Sequence, residues 1–412
     1  MDILVEELDG GLWVAAIQDG RLEGLEVDPS HEEVRWGSIY WAKVIRIDKA
    51  MDAAFVQLTD TREGFLQNKD VRIVEKNGTV QKGGSQSITK YLSPGQMIAV
   101  QAKSGFLKKE EDFDFAREDK TPKVSMDITI PGRFLIYAPM MESNQVSSRI
   151  RSKKLRDNLM KMIEAFDPAK GLILRASAED TQMDILLREA RILENTWLRL
   201  TPHFEGTNPK LVMEGPDAFV RSIGDQAGQS IDRIEVVTMD RYKQVEGWAE
   251  VFGPDLVPKI HAMKVEAPED DLALFEHHGL LGDIEDLFQT YGLLRSGGSI
   301  IIEQTSALLA IDVNRGGDTR SVMVINLEAA REIARQIRLR NIGGIVMIDF
   351  LKFTKKADSE KFLKSVEEAF DGDPCTIQFH GMTALGLLEL TRKRRTPPLS
   401  ERLDSIDALS IG

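Results

Sequence analysis

Two short apolar segments, each followed directly by an aspartate, constrain the fold of this chain more than any other feature. Residues 308–311 (Leu-Leu-Ala-Ile) lead into Asp312, and residues 345–348 (Ile-Val-Met-Ile) lead into Asp349. Between them, residues 325–340 carry apolar side chains at helical spacing, and a Gly-Gly pair then stops the helix. A strand, a crossover helix and a second strand predict two parallel strands side by side.

The aspartates that end these strands are candidate ligands for a divalent cation. Ligands of open α/β sheets bind outside the carboxyl ends of the strands, and neighbouring strands lie about 5 Å apart. Two carboxylates at that spacing repel each other unless a cation lies between them, and Mg²⁺ is commonly held by two carboxylates and water. A strand-end aspartate is also a common turn former, and Gly316-Gly317 follows Asp312, so the pattern alone leaves both interpretations open.

Composition places the chain among multi-domain globular proteins. It has 412 residues, of which 42% are apolar and 7% aromatic. The 53 basic and 66 acidic residues give a net charge of −13, which argues against a protein that coats nucleic acid non-specifically. The lone Cys375, the acidic first residues and the lack of an apolar run long enough for a membrane span predict a cytoplasmic location.

The N-terminal half predicts mainly β-structure. Residues 12–17 lead into Asp19-Gly20, a hairpin signal, and short apolar runs follow from Gly37. The polar stretches 75–90 and 108–123 are expected to be loops. Helices are predicted over 155–166, 178–199 and, with Pro216 in the first turn, over 216–223. The run Arg392-Lys393-Arg394-Arg395 is expected at a helix end, either as a solvated face or as a phosphate-backbone contact.

Four segments of the C-terminal third resemble the catalytic domain of the ribonuclease E/G family: 310–314, 326–340, 341–350 and 385–394. The resemblance implies a Mg²⁺-dependent endoribonuclease, with Mn²⁺ as a substitute metal. It also implies that Asp312 and Asp349 hold the metal and that Asn314 supports them as the third catalytic residue. The products would carry 5′-phosphate and 3′-hydroxyl ends.

The region from Gly37 to Leu66 is similar to the OB-fold module with which this family binds single-stranded RNA. The aromatic positions correspond to Phe55 and Phe65, and Lys120 is the best match for the family's lysine, with Lys123 as a competitor. OB folds stack bases on aromatic rings beside a basic groove, although both rings could equally fill a small barrel.

The segment after this module resembles the family's pocket for a 5′-terminal monophosphate. Its positions correspond to Gly132, Ile136, Arg175 and Ala176. An arginine binds phosphate through two charge-assisted hydrogen bonds. Ala176 stands where the family has a hydroxyl, so one hydrogen bond to the phosphate would be missing.

Two further departures from the family pattern bear on assembly and on the active site. Residues 395–402 contain no cysteine where the family has a Cys-Pro-x-Cys segment, so the sequence predicts no zinc and, if the chain dimerises, a homodimer without a zinc link. The loop at 315–320 is shorter than in the family. The long basic scaffold tail of some members is not present in this sequence.

The expected fold class is a multi-domain α/β protein. By resemblance, residues 1–36 and 211–281 form a non-catalytic, split RNase H-like domain and residues 37–125 an OB-fold β-barrel. Residues 126–210 form the 5′-sensor region, 282–400 a DNase I-like catalytic domain and 401–412 a tail.

The predicted function is hydrolysis of phosphodiester bonds in single-stranded RNA, in RNA processing and decay. One alternative is an RNA-binding regulator of the same family that has lost catalysis. The other is a Mg²⁺ phosphodiesterase that acts on DNA.

Overall fold

The computed structural model describes residues 1–30, 32–75, 78–107, 121–148, 150, 152–166, 169–265 and 272–403. They divide into two compact units, which we describe separately. Unit 1 is Met1–Ser30, Ile231–Glu246 and Pro258–Gly412; unit 2 is His31–Ser230 and Gly247–Val257. No helix in the described ranges has the length and apolar character needed to cross a membrane.

The strands, in chain order, are β1 (Asp2–Leu8), β2 (Gly11–Gln18), β3 (Arg21–Asp28), β4 (Glu32–Val34), β5 (Ile39–Asp48), β6 (Ala53–Gln57), β7 (Glu63–Gln67), β8 (Arg72–Val74), β9 (Val80–Lys82), β10 (Met97–Ala102), β11 (Phe106–Leu107), β12 (Lys123–Ser125), β13 (Ile130–Pro131), β14 (Leu135–Tyr137), β15 (Gln145–Val146), β16 (Leu172–Leu174), β17 (Lys210–Met213), β18 (Arg233–Val236), β19 (Ile260–Ala262), β20 (Tyr291–Leu293), β21 (Ser299–Gln304), β22 (Leu308–Asn314), β23 (Gly344–Asp349), β24 (Ile377–Met382) and β25 (Leu388–Arg392).

The helices are α1 (Lys153–Ile163), α2 (Met183–Leu200), α3 (Ala218–Asp225), α4 (Met239–Phe252), α5 (Ala273–His277), α6 (Leu281–Asp286), α7 (Val322–Leu339), α8 (Lys356–Glu368) and α9 (Leu399–Leu403). Short 3₁₀ turns lie at Asn68–Asp70, Ile88–Lys90, Glu164–Phe166, Ala176–Ala178, Thr201–His203 and Val257–Lys259.

The larger sheet of unit 1 contains the predicted parallel pair. Its strand order is β20-β21-β22-β23-β25-β24. β22 and β23 are parallel, and every other neighbouring pair in this sheet is antiparallel. The prediction of a strand, a crossover helix (α7) and a parallel strand is therefore confirmed.

In the described ranges, helices pack against one face of this sheet. Ile311, Val346 and Ile348 are at most 3% exposed and belong to the core cluster that also contains Ile333 of α7. On the opposite face, Ile345 is 42% exposed. The apolar run at 345–350 favours a buried strand; instead burial alternates along it, and the face that carries Asp312 and Asp349 is open to solvent among the described residues.

A second sheet of unit 1 has the order β19-β18-β1-β2-β3. The hairpin between β2 and β3 turns at Asp19 and Gly20, whose φ angles of 52° and 71° suit the predicted Asp-Gly turn. Strands from residues 2–28 and 233–262 thus lie in one sheet, built from segments far apart in sequence.

Unit 2 contains a closed five-stranded barrel of β10, β12, β7, β6 and β5, in which β5 also pairs with β10. Its interior is filled by apolar residues that are at most 2% exposed, among them Val44, Val56, Leu66, Val100 and Val124. β17 adds to the same sheet by pairing with β5. The barrel fits the OB-like fold expected for this region.

The rest of unit 2 includes a small sheet with the order β13-β14-β16-β15. Leu186, Ala190 and Leu193 of α2 belong to its core cluster. This helix begins at Met183 rather than near residue 178, because residues 176–178 form a 3₁₀ turn. Likewise α3 begins after its N-cap Asp217, so Pro216 precedes the helix.

The basic run at 392–395 was predicted wrongly as a helix end. Arg392 is the last residue of β25 and only 3% exposed. Its Nε donates to Asp373 Oδ2 at 2.8 Å, and its Nη1 donates to the carbonyl oxygen of Ile342 at 2.7 Å. Burial of a charge requires such partners, and Asp373 lies 19 residues away, beyond the reach of local sequence pattern.

A buried amide holds the chain just after Asp349. Asn326 of α7 is completely buried. Its Nδ2 donates to the carbonyl oxygen of Leu351 at 2.8 Å, and its Oδ1 accepts from the Leu351 N–H at 3.1 Å. This pair fixes the backbone where it leaves β23.

We predict that Asn326→Ala lowers the free energy of unfolding by about 2–4 kcal/mol, because two hydrogen bonds are lost and a cavity is left. Arg331→Ala, at an exposed position of α7, is the matched control and should change it by less than about 0.5 kcal/mol. Denaturant unfolding monitored by circular dichroism measures both. Equal stability of the two variants would contradict this structural role for Asn326.

Candidate active site

Asp312 and Asp349 are directly opposite each other in the parallel register of β22 and β23. Because both point to the open sheet face, their carboxylates lie side by side at the carboxyl ends of the strands. Asp312 is exposed and Asp349 is partly buried. In the part of the chain that is described, neither carboxylate forms an ion pair with a lysine or arginine, so the negative charge of the pair is not compensated by a side chain.

Asn314 is two residues beyond Asp312 on the same strand and therefore on the same face. Its Nδ2 donates to Asp312 Oδ2 at 3.0 Å. This hydrogen bond orients the Asp312 carboxylate and leaves its other oxygen available. The three residues named from the sequence pattern and the resemblance are thus brought together at one edge of one sheet.

The donor set suits a hard cation that keeps much of its water. Among the described residues there is no group of three or more His, Cys, Asp or Glu side chains arranged to hold a metal ion. Two carboxylates with uncompensated charge and open access to solvent still fit Mg²⁺, which commonly takes one or two carboxylates and several waters. They do not resemble a structural zinc site, which needs four nitrogen or sulfur ligands.

The short loop after Asn314 is held at its C-terminal end by contacts of Arg320. Arg320 Nη2 donates to Asp318 Oδ2 at 2.6 Å and also to Glu328 of α7. The hydrogen bond from Arg320 keeps the pKa of the Asp318 carboxyl below its usual value. The loop that follows the carboxylate pair is therefore anchored to the crossover helix.

On unit 2, the barrel carries a row of four side chains across four neighbouring strands. Arg46 of β5 is opposite Phe55 of β6, which is opposite Phe65 of β7, and Phe65 is in register with Lys123 of β12. The phenylalanine rings are partly exposed, with centroids 5.4 Å apart, and the two cations are exposed. We call these residues the barrel row. Partly exposed rings flanked by positive charge suit single-stranded nucleic acid.

The predicted RNA-binding lysine, Lys120, lies outside the described residues. Lys123, the other candidate for this lysine, is in the barrel row next to Phe65. Phe55 and Phe65 point outwards, since the interior positions of β6 and β7 are Val56 and Leu66.

The four positions of the expected 5′-phosphate pocket lie on adjacent segments. Ile136 is opposite Ile173, two residues before Arg175. Arg175 Nη1 donates to the carbonyl oxygens of Gly132 and Arg133 at 3.2 and 3.3 Å. Ala176 is exposed and offers only a methyl group. Gly132, Ile136, Arg175 and Ala176 are therefore brought together, but part of the Arg175 guanidinium is engaged by backbone carbonyls.

A buried carboxylate contacts the segment that follows Gly132. Glu189 of α2 is 4% exposed, and its Oε1 accepts from the backbone N–H groups of Phe134 and Leu135 at 3.0 and 3.3 Å. A Cβ atom on Gly132 would lie 1.9 Å from Glu189 Oε1, which explains the glycine at that position. Burial raises the pKa of Glu189 to about 7, although these N–H groups and the charge of Arg175 oppose the shift.

Comparison with known proteins gives the family. The model of the Ribonuclease E/G family matches residues 129–395, which include Asp312, Asp349 and the pocket residues. The chain belongs to the ribonuclease E/G family. Ribonuclease E of Nostoc is 30% identical over 390 residues, which cover 92% of this chain and 54% of that protein. Ribonuclease G of Escherichia coli K12 is 29% identical over 406 residues, which cover 95% of this chain and 80% of that protein.

The chain spans about half the length of the ribonuclease E sequences from Nostoc and Synechocystis. The barrel lies before the segment matched by the family model, and it is included in these longer alignments, which extend over more than nine-tenths of the chain. The relationship to the family therefore covers both units.

Two buried polar residues that hold the backbone next to candidate site residues were not identified from the sequence. Glu189 lies on the apolar face of α2 with Leu186 and Leu193, and Asn326 lies beside the buried Ile325 of α7. A polar side chain within the apolar face of a helix was the available signal, since burial of such a group requires a specific partner.

We predict that Glu189 makes stability depend on pH. Because its pKa is higher in the folded protein than the ordinary 4.5, the folded state binds the proton more tightly, and this stabilisation is lost as pH rises through about 7. The unfolding free energy of the wild type, relative to Glu189→Gln, should fall between pH 5 and pH 8, with a slope of up to about 1.4 kcal/mol per pH unit. Chemical denaturation of both proteins at several pH values measures the difference; parallel pH profiles would contradict the shift.

Proposed function

We propose that this protein is a metal-dependent endoribonuclease that hydrolyses phosphodiester bonds in single-stranded RNA. The observation that carries the proposal is the in-register pairing of Asp312 with Asp349 on an open sheet face. The family supports it, since its relatives are named ribonuclease E and ribonuclease G. By resemblance, the family's two metal-binding aspartates correspond to Asp312 and Asp349, and its supporting asparagine corresponds to Asn314.

In the proposed mechanism, Asp312 and Asp349 would hold Mg²⁺, or Mn²⁺ in its place. When bound, the ion lowers the pKa of a coordinated water and offsets charge on the attacked phosphodiester. Asn314 orients Asp312 through its amide N–H. Hydrolysis would form a bond between a water oxygen and phosphorus and break the bond between phosphorus and the 3′ oxygen, which would take up a proton from solvent, so the products would carry 5′-phosphate and 3′-hydroxyl ends. The uncompensated charge of the two aspartates supports this role, because it favours a divalent cation over water alone.

We extend the proposal to the domain architecture that the resemblance implies. Residues 282–400 would form a DNase I-like catalytic domain, and residues 1–36 with 211–281 an RNase H-like domain without its own active site. Residues 37–125 would form the OB-fold module and 126–210 the 5′-sensor region. A homodimer without a zinc link belongs to the same proposal.

The barrel row is proposed to bind the RNA strand. Phe55 and Phe65 offer partly exposed rings, and Lys123 offers a positive charge in register with Phe65. Stacking on aromatic rings tolerates any base, so this surface does not require a particular RNA sequence.

Two alternatives are separated from this proposal by one assay. A regulator without catalysis would have no need of two uncompensated carboxylates on adjacent strands, and this observation argues against it. A phosphodiesterase acting on DNA would cut a DNA oligomer of matched sequence. Incubation of the full chain with Mg²⁺ and matched single-stranded RNA and DNA decides among the three: cutting of RNA alone supports the proposal.

We predict that Asp312→Asn lowers the rate of RNA cleavage by at least about 10³-fold, because the loss of a metal-binding charge removes several kcal/mol of transition-state stabilisation. RNA affinity should stay within about twofold of the wild type, since the barrel row is unchanged. Single-turnover cleavage of a labelled oligomer and its binding by fluorescence anisotropy measure the two quantities.

Asp358→Asn is the matched control for this variant. Asp358 is an exposed carboxylate in the first turn of α8, outside the proposed site, so its variant should cleave at the wild-type rate. Wild-type cleavage by Asp312→Asn would refute the assignment of the active site, and a similar loss in both variants would show that the effect is not specific to the aspartate pair.

We also predict that the pocket at Arg175 gives only a small preference for RNA with a 5′-monophosphate over RNA with a 5′-hydroxyl. The side chain of Ala176 cannot donate a hydrogen bond, so Ala176→Thr should raise the ratio of the two cleavage rates by about tenfold through one charge-assisted hydrogen bond. Competition between the two labelled substrates measures this ratio. Equal rates in both proteins would remove the sensor role from the pocket.

A further inference from the structure

The guanidinium of Arg46 is stacked on the ring of Phe55 in the barrel row. Its central carbon lies 3.5 Å from the ring centroid. The geometry depends on an irregularity in β5, where the register with β6 shifts between Val44 and Arg46. Ile45 and Arg46 are consecutive and both exposed, which a regular strand would not allow. The bulge thus turns Arg46 onto the face that carries Phe55.

Among the described residues, no acidic side chain pairs with the charge of Arg46. Within the described ranges, Arg46 makes no ion pair and donates no side-chain hydrogen bond, so its N–H groups are available. The second cation stacked on a barrel-region ring differs in this respect: Arg62 lies 4.5 Å from the centroid of Phe106 and also pairs with Glu33. The ring fixes the guanidinium in place, and no acceptor among the described residues uses its N–H groups. An arginine in this state can bind an anionic ligand through those N–H groups.

The stack also changes where a base can bind. The Arg46 guanidinium covers one face of Phe55, and Phe65 meets Phe55 edge-on with an interplanar angle of 63°. A nucleobase therefore finds the outer plane of the guanidinium on that side, rather than the phenylalanine ring. A guanidinium plane stacks on bases, and its N–H edge can donate two parallel hydrogen bonds to a phosphate.

We propose that Arg46 is a nucleotide-binding residue of the barrel, which stacks a base of single-stranded RNA on its guanidinium plane and donates to the adjacent phosphate. Phe55 supports the guanidinium from below and keeps it flat against the surface. The inference rests on the RNA-binding part of the proposed function and is independent of the aspartate pair.

The test measures binding of a single-stranded RNA 12-mer to the full chain that carries Asp312→Asn, so that cleavage does not interfere. Fluorescence anisotropy over about 50–300 mM KCl gives Kd and its salt dependence. In this background, Arg46→Ala should raise Kd by about 10- to 30-fold and reduce the steepness of log Kd against log[KCl] by about 0.7, which corresponds to one phosphate contact on a single strand.

Arg46→Lys separates stacking from charge. Lysine keeps the charge but has no plane and no fixed pair of donors. The variant should keep the wild-type salt dependence and still raise Kd by about 5- to 10-fold. Lys82→Ala, at an exposed position of β9 outside the barrel row, is the control for general loss of charge and should raise Kd by less than about twofold.

Each contrary result overturns the proposal. An Arg46→Ala protein whose Kd lies within twofold of its parent shows that Arg46 does not contact RNA. An Arg46→Lys protein whose Kd equals that of its parent shows that only the charge matters. Unchanged melting temperatures separate these effects from misfolding. Failure of the proposed function gives a different result. If the wild-type chain binds the oligomer but does not cut it, the nuclease proposal is wrong and the Arg46 inference is unaffected. If the wild-type chain does not bind the oligomer, both are wrong.

Discussion

The parallel register between β22 and β23 is the constraint on which the candidate active site depends. It places Asp312 opposite Asp349 at the carboxyl ends of two adjacent strands. A shift of one residue would turn one carboxylate into the core, where Ile311 and Ile348 now lie. The charge repulsion between the aspartates opposes this register, so the apolar face beneath them must stabilise it.

The crossover helix provides that stabilisation and also fixes the chain around the site. The apolar side chains of α7 pack under both strands, while its polar residues make specific contacts on the two sides of the carboxylate pair. Asn326 holds the backbone at Leu351, and Glu328 accepts from Arg320 in the loop after Asn314. One helix therefore sets the position of the chain after each aspartate, which is the arrangement that precise metal coordination requires.

The sequence predicted the parts of the fold that rest on local periodicity. The parallel pair, α7 and the Asp-Gly hairpin were predicted correctly, since apolar spacing and turn residues determine them. Features that depend on distant partners were missed or wrong. Arg392 is buried because Asp373 lies beside it, and Glu189 is buried because backbone N–H groups meet it. The bulge that turns Arg46 onto Phe55 also could not be predicted, because the alternation of apolar and polar residues in β5 does not show where the register shifts.

Direct metal binding tests, without reference to RNA, whether the two aspartates together hold one divalent cation. Electron paramagnetic resonance of Mn²⁺ titrated into the full chain counts the bound ions. The wild type is predicted to bind one Mn²⁺ that is displaced by excess Mg²⁺ and is lost in the Asp312→Asn/Asp349→Asn double variant. Equal Mn²⁺ binding by the wild type and the double variant would show that the aspartate pair does not hold the ion.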